Sequence, residues 1–150
     1  MKKLPIVWQR LVTPDGRTCE RCGTTQKEME RAVEKLSLAL APLGIRPVLE
    51  TRAIDEKTFK ANPAESNRIW MGGRPMEEWL EGKAGASPCC SVCGESECRT
   101  VEVEETVFEA IPENLILKAG LLAASSLIEP ATRETPPSQT ANSGRAGRDK

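Results

Sequence analysis

Apolar residues along this chain fall into short runs separated by clear punctuation. Leu4 to Val12 (LPIVWQRLV) is rich in β-branched and aromatic residues and leads into Thr13-Pro14-Asp15-Gly16, a turn signature, which predicts a first strand. The period then changes. Met29, Val33, Leu36, Leu40 and Leu43 recur at steps of four and three, placing them on one helix face, and Gly44 is positioned to end that helix. Thr25 and Glu28 have capping-box spacing, while Gly23 and Thr24 before them are poor helix residues, so the helix is expected to start at Thr25. Ile45 to Ile54 (IRPVLETRAI) reads as a second strand, with Pro47 near its beginning where a missing amide is tolerated.

Further along, Asp55 to Asn62 suits a short helix and Arg68 to Met71 a short strand turned by Gly72-Gly73. Pro75 to Leu80 suits one helical turn. Gly82 to Glu97 is expected as a loop, followed by a hairpin of Thr100 to Val103 and Val107 to Ile111 joined around Glu104-Glu105. Pro112 opens a last helix with Leu115, Ala119, Leu122, Ala123 and Leu127 facing inward through about residue 128. From Pro130 bulky apolar residues vanish among Pro, Ser, Thr, Gly and charges, so ordering entropy cannot be recovered by burial. The expected organisation is one domain, 1–129, with a disordered tail, 130–150.

A chain of 150 residues has room for one core. Its 21 Lys and Arg against 22 Asp and Glu give no net field to attract a nucleic-acid backbone or an anionic membrane, so neither is expected as a partner. The apolar run after Lys2 and Lys3 is too short for a signal peptide. Leu115 to Ile128 contains Lys118 and falls short of the roughly 20 residues a spanning helix needs, which leaves a cytoplasmic location as the expectation. There is no histidine and no tyrosine, so Ser-His, Cys-His and His-ligated metal chemistry cannot be assembled from this chain alone.

Six cysteines therefore carry the candidate chemistry. In a reducing compartment they read as metal ligands or redox groups rather than disulfide staples. Cys19-Glu20-Arg21-Cys22-Gly23 and Cys90-Ser91-Val92-Cys93-Gly94 are both C-x-x-C-G, a form in which a tight turn aims two sulfurs at one cation. Cys89, Cys90, Cys93 and Cys98 lie within ten residues and can take one soft ion by themselves, or share it with Cys19 and Cys22. Zn²⁺, Cu(I), an iron-sulfur centre or a thiophilic metalloid all suit such ligands.

The alternative is thiol-disulfide exchange with a redox partner protein, Cys19 attacking and Cys22 resolving. A helix N-terminus together with Arg17 and Arg21 would favour a thiolate there. Glu95 and Glu97 beside the second cluster oppose one, with Arg99 as the local offset. The remaining features have plainer readings. Gly72-Gly73-Arg74-Pro75 lacks the P-loop spacing, Trp8, Trp70 and Trp79 suit the core, and Glu77-Glu78 and Glu104-Glu105 suit solvated surfaces.

The order β-α-β, then strand, β-hairpin and C-terminal helix, with C-x-x-C at the first turn, resembles the thioredoxin-like α/β fold with a cysteine-rich loop insertion. More closely, LPIVWQRLV, TCERCG, ESNRIWMGGRP, SPCCSVCG, CRTVEV and EAIPENLILKAGLLAA resemble an uncharacterised prokaryotic family of unknown function assigned to that fold, over residues 4 to about 128. The resemblance implies the fold and brings no activity with it. Where active thioredoxins place a cis-proline before a strand, this chain has Ser66-Asn67-Arg68.

Overall fold

The computed structural model describes residues 1–88 and 96–128. Its central strand is β1 (Lys2–Leu11), in which Leu4, Ile6 and Trp8 are fully buried at alternate positions. Helix α1 (Glu20–Leu40) and a 3-10 turn ending at Gly44, at φ +69°, lead into β2 (Ile45–Ile54), which pairs parallel to β1 from Lys2↔Ile45 to Leu11↔Ile54. After α2 (Glu56–Ala61) and a second 3-10 turn, β3 (Arg68–Met71) runs antiparallel to β1 on its other side. Gly72 and Gly73, at φ +60° and +81°, turn the chain into the two-residue β4 (Arg74–Pro75). The sheet order is β2-β1-β3-β4.

The chain then leaves this sheet. After α3 (Met76–Trp79), strands β5 (Lys83–Pro88), β6 (Glu97–Val103) and β7 (Thr106–Phe108) form a separate antiparallel sheet, and α4 (Glu113–Ser125) returns to pack on α1. Met29, Ala32 and Leu36 of α1 and Ile116, Ala119 and Ala123 of α4 share one core with β1 and β3. The helices approach closely at Gly120, where a Cβ would come within 2.6 Å of Leu36 Cδ1.

Four expectations are corrected. Much of the Gly82 to Glu97 segment, expected as a loop, is strand β5, because Lys83 to Pro88 finds a full-length partner in β6. The hairpin around Glu104-Glu105 exists as β6-β7 but belongs to the second sheet, and the strand that follows β3 in the first sheet is β4. Helix α1 starts at Glu20 rather than Thr25. Thr25 and Glu28 do cap a helix, but it is α4: Thr25 Oγ1 accepts from Ile111 N–H at 3.1 Å and Glu28 Oε2 from Glu113 N–H at 2.8 Å. Finally, Glu77 is buried rather than solvated, paired with Arg99 of β6, which also donates to Ala64 O at 3.1 Å. Trp8 is core as expected, with Trp70 and Trp79 half-buried under Arg68 and Arg74.

Because the Glu77 and Arg99 side chains are both largely buried, Glu77→Ala strands a guanidinium in the interior. It should lower stability by about 3 to 5 kcal/mol in denaturant unfolding, whereas Glu77→Leu combined with Arg99→Met should recover most of that loss.

Candidate dithiol site

Cys19 occupies the N-cap of α1 in extended backbone, φ −72° and ψ 161°, and its sulfur accepts the Cys22 amide at 3.4 Å. Cys19 O accepts Gly23 N–H at 2.9 Å. Sulfur thus takes the capping role that an oxygen usually fills, and the helix begins early enough to include Gly23 and Thr24 despite their propensities. Tertiary burial of Arg21, Cys22 and Thr25 supplies the compensation.

Cys19 and Cys22 are 3 % and 2 % exposed. Cys22 is a free thiol hydrogen-bonded to Cys19. That hydrogen bond, then burial, then the nearness of Cys19 raise its pKa well above the ordinary thiol value. The pair is therefore asymmetric. Cys22 holds its proton, and the Cys19 sulfur sits at the amide-rich end of a 21-residue helix, where negative charge is favoured. Ser66 Oγ lies 3.7 Å from Cys22 Sγ, and the Thr18 hydroxyl, which donates to Leu11 O at 2.9 Å, also neighbours it.

The two arginines expected to assist behave differently. Arg17 is exposed and paired with Asp15 at 2.7 Å. Arg21 is buried and points into the second sheet, donating to Ser87 Oγ and Pro88 O, both at 3.0 Å, and to Cys98 O and Arg99 O at 3.3 and 3.4 Å; Glu109 lies 3.5 Å away. Pro88 and Glu97 are register partners, so these bonds hold both ends of the 89–96 connection at the first turn of α1. Arg99, expected to offset Glu95 and Glu97, is engaged with Glu77 instead.

Cys89, Cys90 and Cys93 lie outside the described residues. Cys98 is a buried free thiol in β6, part of the apolar core. Among the described residues no group of three or more Cys, Asp or Glu side chains could hold a metal ion, so Cys98 does not complete a site with Cys19 and Cys22. Two roles escaped the sequence reading: the contact of Ser66 with Cys22, although Ser66-Asn67-Arg68 was visible as the stretch where active thioredoxins place a cis-proline, and the role of Arg21 as a clamp. Its position inside C-x-R-C was visible, but its partners lie 66 to 78 residues away.

The chain matches the family described as "Domain of unknown function (DUF2703)" over residues 4–120. The chain belongs to that family. The matched span includes all six cysteines, Arg21 and Ser66. An uncharacterized protein of Archaeoglobus fulgidus is 40% identical over 114 residues, covering 76% of this chain and 82% of that one. No solved structure matches the chain. Among the described residues no helix is long and apolar enough to cross a membrane.

Two outcomes follow from this geometry. Arg21→Ala, which removes the donor to two buried acceptors and two at the edge of the fold, should cost about 2 kcal/mol in denaturant unfolding, and Arg21→Lys should restore only a minor part because an ammonium lacks the planar fork. The folded chain also holds the Cys22 proton more tightly than the unfolded chain does. Stability is thus full below the ordinary thiol value of 9.0 and falls as pH rises past it; thermal melts across that range should show the decline, flattened in Cys22→Ala.

Proposed function

We propose that this chain is a thioredoxin-like dithiol-disulfide protein in which Cys19 is the attacking sulfur and Cys22 the resolving one. The observation that carries the reading is the asymmetric pair at the start of α1, in which the Cys19 sulfur caps the helix by accepting the Cys22 amide and the buried Cys22 thiol lies beside it. The sheet order β2-β1-β3-β4, with β2 parallel and β3 antiparallel to β1, supports the thioredoxin-like assignment. So does the position of the pair between β1 and α1. The second sheet is then an insertion between β4 and the last helix. No cis peptide occurs among the described residues, so the segment ahead of β3 is built differently from that of active thioredoxins.

The chemistry needs no group the chain lacks. Cys19 thiolate attacks one sulfur of a substrate disulfide, forming a mixed disulfide and releasing the other half as a thiolate. Cys22 then gives up its proton to solvent or to the departing thiol and attacks Cys19 Sγ. The Cys19–Cys22 disulfide forms and the second substrate thiol leaves. Two substrate thiols appear for one enzyme dithiol consumed, and an external thiol reductant restores the pair. The substrate belongs to the class of disulfides, with a redox partner protein as the natural supplier or acceptor of electrons in the cytoplasm.

A soft-metal reading is favoured by one separate observation, the Arg21 clamp. Arg21, inside the first C-x-x-C, is bonded to Pro88 O and Cys98 O, the described residues between which Cys89, Cys90 and Cys93 fall in the sequence. Cys19, Cys22, Cys90 and Cys93, with Cys89 as an alternate, would give four thiolates for Zn²⁺ or another thiophilic ion or metalloid.

The two readings separate on protein purified reduced and without chelator. Under dithiol exchange, the protein carries less than stoichiometric metal, and Cys22→Ser accumulates a mixed disulfide on Cys19 while Cys19→Ser forms none. Stoichiometric metal, lost in both variants, would favour the four-thiolate centre instead.

A further inference from the structure

Ser66 is 1 % exposed. Leu11 N–H donates to Ser66 Oγ at 3.0 Å, so the hydroxyl hydrogen needs an acceptor elsewhere, and the sulfur of Cys22 stands 3.7 Å away. The surrounding backbone fixes this arrangement. Asn67 holds a left-handed conformation, φ +58°, that a non-glycine residue keeps only when tied down. It is tied at both ends of its amide: Trp8 Nε1 donates to Asn67 Oδ1 at 3.0 Å and Asn67 Nδ2 donates to Glu109 O at 3.3 Å. Ser66 N–H in turn bonds to Pro63 O at 3.1 Å.

We infer that Ser66 is the dedicated hydrogen-bond donor to the resolving sulfur, stabilising Cys22 as a thiolate when it attacks the mixed disulfide and when it leaves during re-reduction. The inference rests on the dithiol reading above and assigns it a residue outside the C-x-x-C. Cys22 has a particular need of such a donor. Among the described residues the side chains that act on it are Cys19, Ser66 and Thr18, none of them a carboxylate or an ammonium. Thr18 gives its hydrogen to Leu11 O, which leaves Ser66 as the hydroxyl oriented at the sulfur. In the reduced state the Cys22 thiol is hydrogen-bonded to Cys19. Once Cys19 is in a mixed disulfide its sulfur carries no charge to hold that proton, and the Ser66 hydroxyl favours the ionised form of Cys22. The step is the second displacement: Cys22 loses H⁺, the S–S bond between Cys19 and the substrate half breaks, the Cys19–Cys22 bond forms, and the substrate half leaves as a thiolate that takes up a proton.

The test uses the full chain and a small aryl disulfide whose released thiolate is coloured. Reaction is quenched with acid at intervals, and trypsin cleavage after Arg21 separates the Cys19 and Cys22 peptides unless a disulfide links them. In wild type the Cys19 adduct converts to the Cys19–Cys22 link. Ser66→Ala should form the adduct at the wild-type rate and convert it about three- to fourfold more slowly, the net of a tenfold smaller thiolate fraction for roughly one unit of thiol pKa and the higher nucleophilicity of the more basic thiolate, with the pH profile of conversion displaced upward. Ser66→Thr should restore both. Equal rates in Ser66→Ala and wild type, or equal slowing of both phases, would overturn the role of Ser66 while leaving the dithiol reading intact. A wild-type chain that never forms the Cys19–Cys22 link would overturn the dithiol reading itself. If Ser66→Ala does not fold, proton resonance on the reduced wild-type chain decides. A slowly exchanging Ser66 hydroxyl proton with a cross-peak to Cys22 Hβ is the expected result, and a hydroxyl in fast exchange or aimed elsewhere contradicts it.

Discussion

The guanidinium of Arg21, buried at the second position of α1, is bonded to neutral oxygens from both β5 and β6, with the half-exposed Glu109 carboxylate at its edge. A cation taken out of water is tolerated only when its donors are matched, and here the matching groups all come from the second sheet. Arg99 does the reverse, leaving the second sheet to meet Ala64 O and Glu77 beside the first. Two arginines thus stitch the sheets in opposite directions. The Arg21 stitch starts from the turn of helix that carries Cys19 and Cys22. The position of the thiol pair and the docking of the second sheet are therefore one structural problem with one solution.

Within that turn, roles are divided by environment rather than by residue type. Both sulfurs belong to cysteines of nearly equal burial, yet one caps a helix and the other, beside it, lies against the Ser66 hydroxyl. The long α1 supplies the field at its N-terminus, and its far end is anchored through Met29, Leu36 and Leu40 in the core. The segment entering β3 approaches from the other side, where Ser66 stands beside Cys22.

Local signals told most of the first sheet correctly. LPIVWQRLV alternates over a half-buried surface and became β1, IRPVLETRAI became β2, and Gly72-Gly73 turns where positive φ is required. The misreadings share one cause, which is that their partners are far away in sequence. Thr25 and Glu28 look like a cap for their own helix and instead satisfy the amides of Ile111 and Glu113. Lys83 to Pro88 has little apolar alternation because β5 is stabilised by pairing with β6 rather than by burying a face. Glu77 looks solvated until Arg99, 22 residues on, is brought against it. At the candidate site the first pair was legible from C-x-x-C spacing, but its helix cap was hidden by the poor propensities of Gly23 and Thr24, and the contact of Ser66 with Cys22 was invisible without the fold.

The most direct measurement is an equilibrium redox titration of the full chain in buffers of reduced and oxidised dithiothreitol, with thiols trapped by acid and alkylation and the peptides mapped by mass. The account predicts one two-electron transition in which Cys19 and Cys22 become linked to each other. Failure to link them at any poise, or pairing of Cys19 with a different cysteine in preference to Cys22, would contradict it.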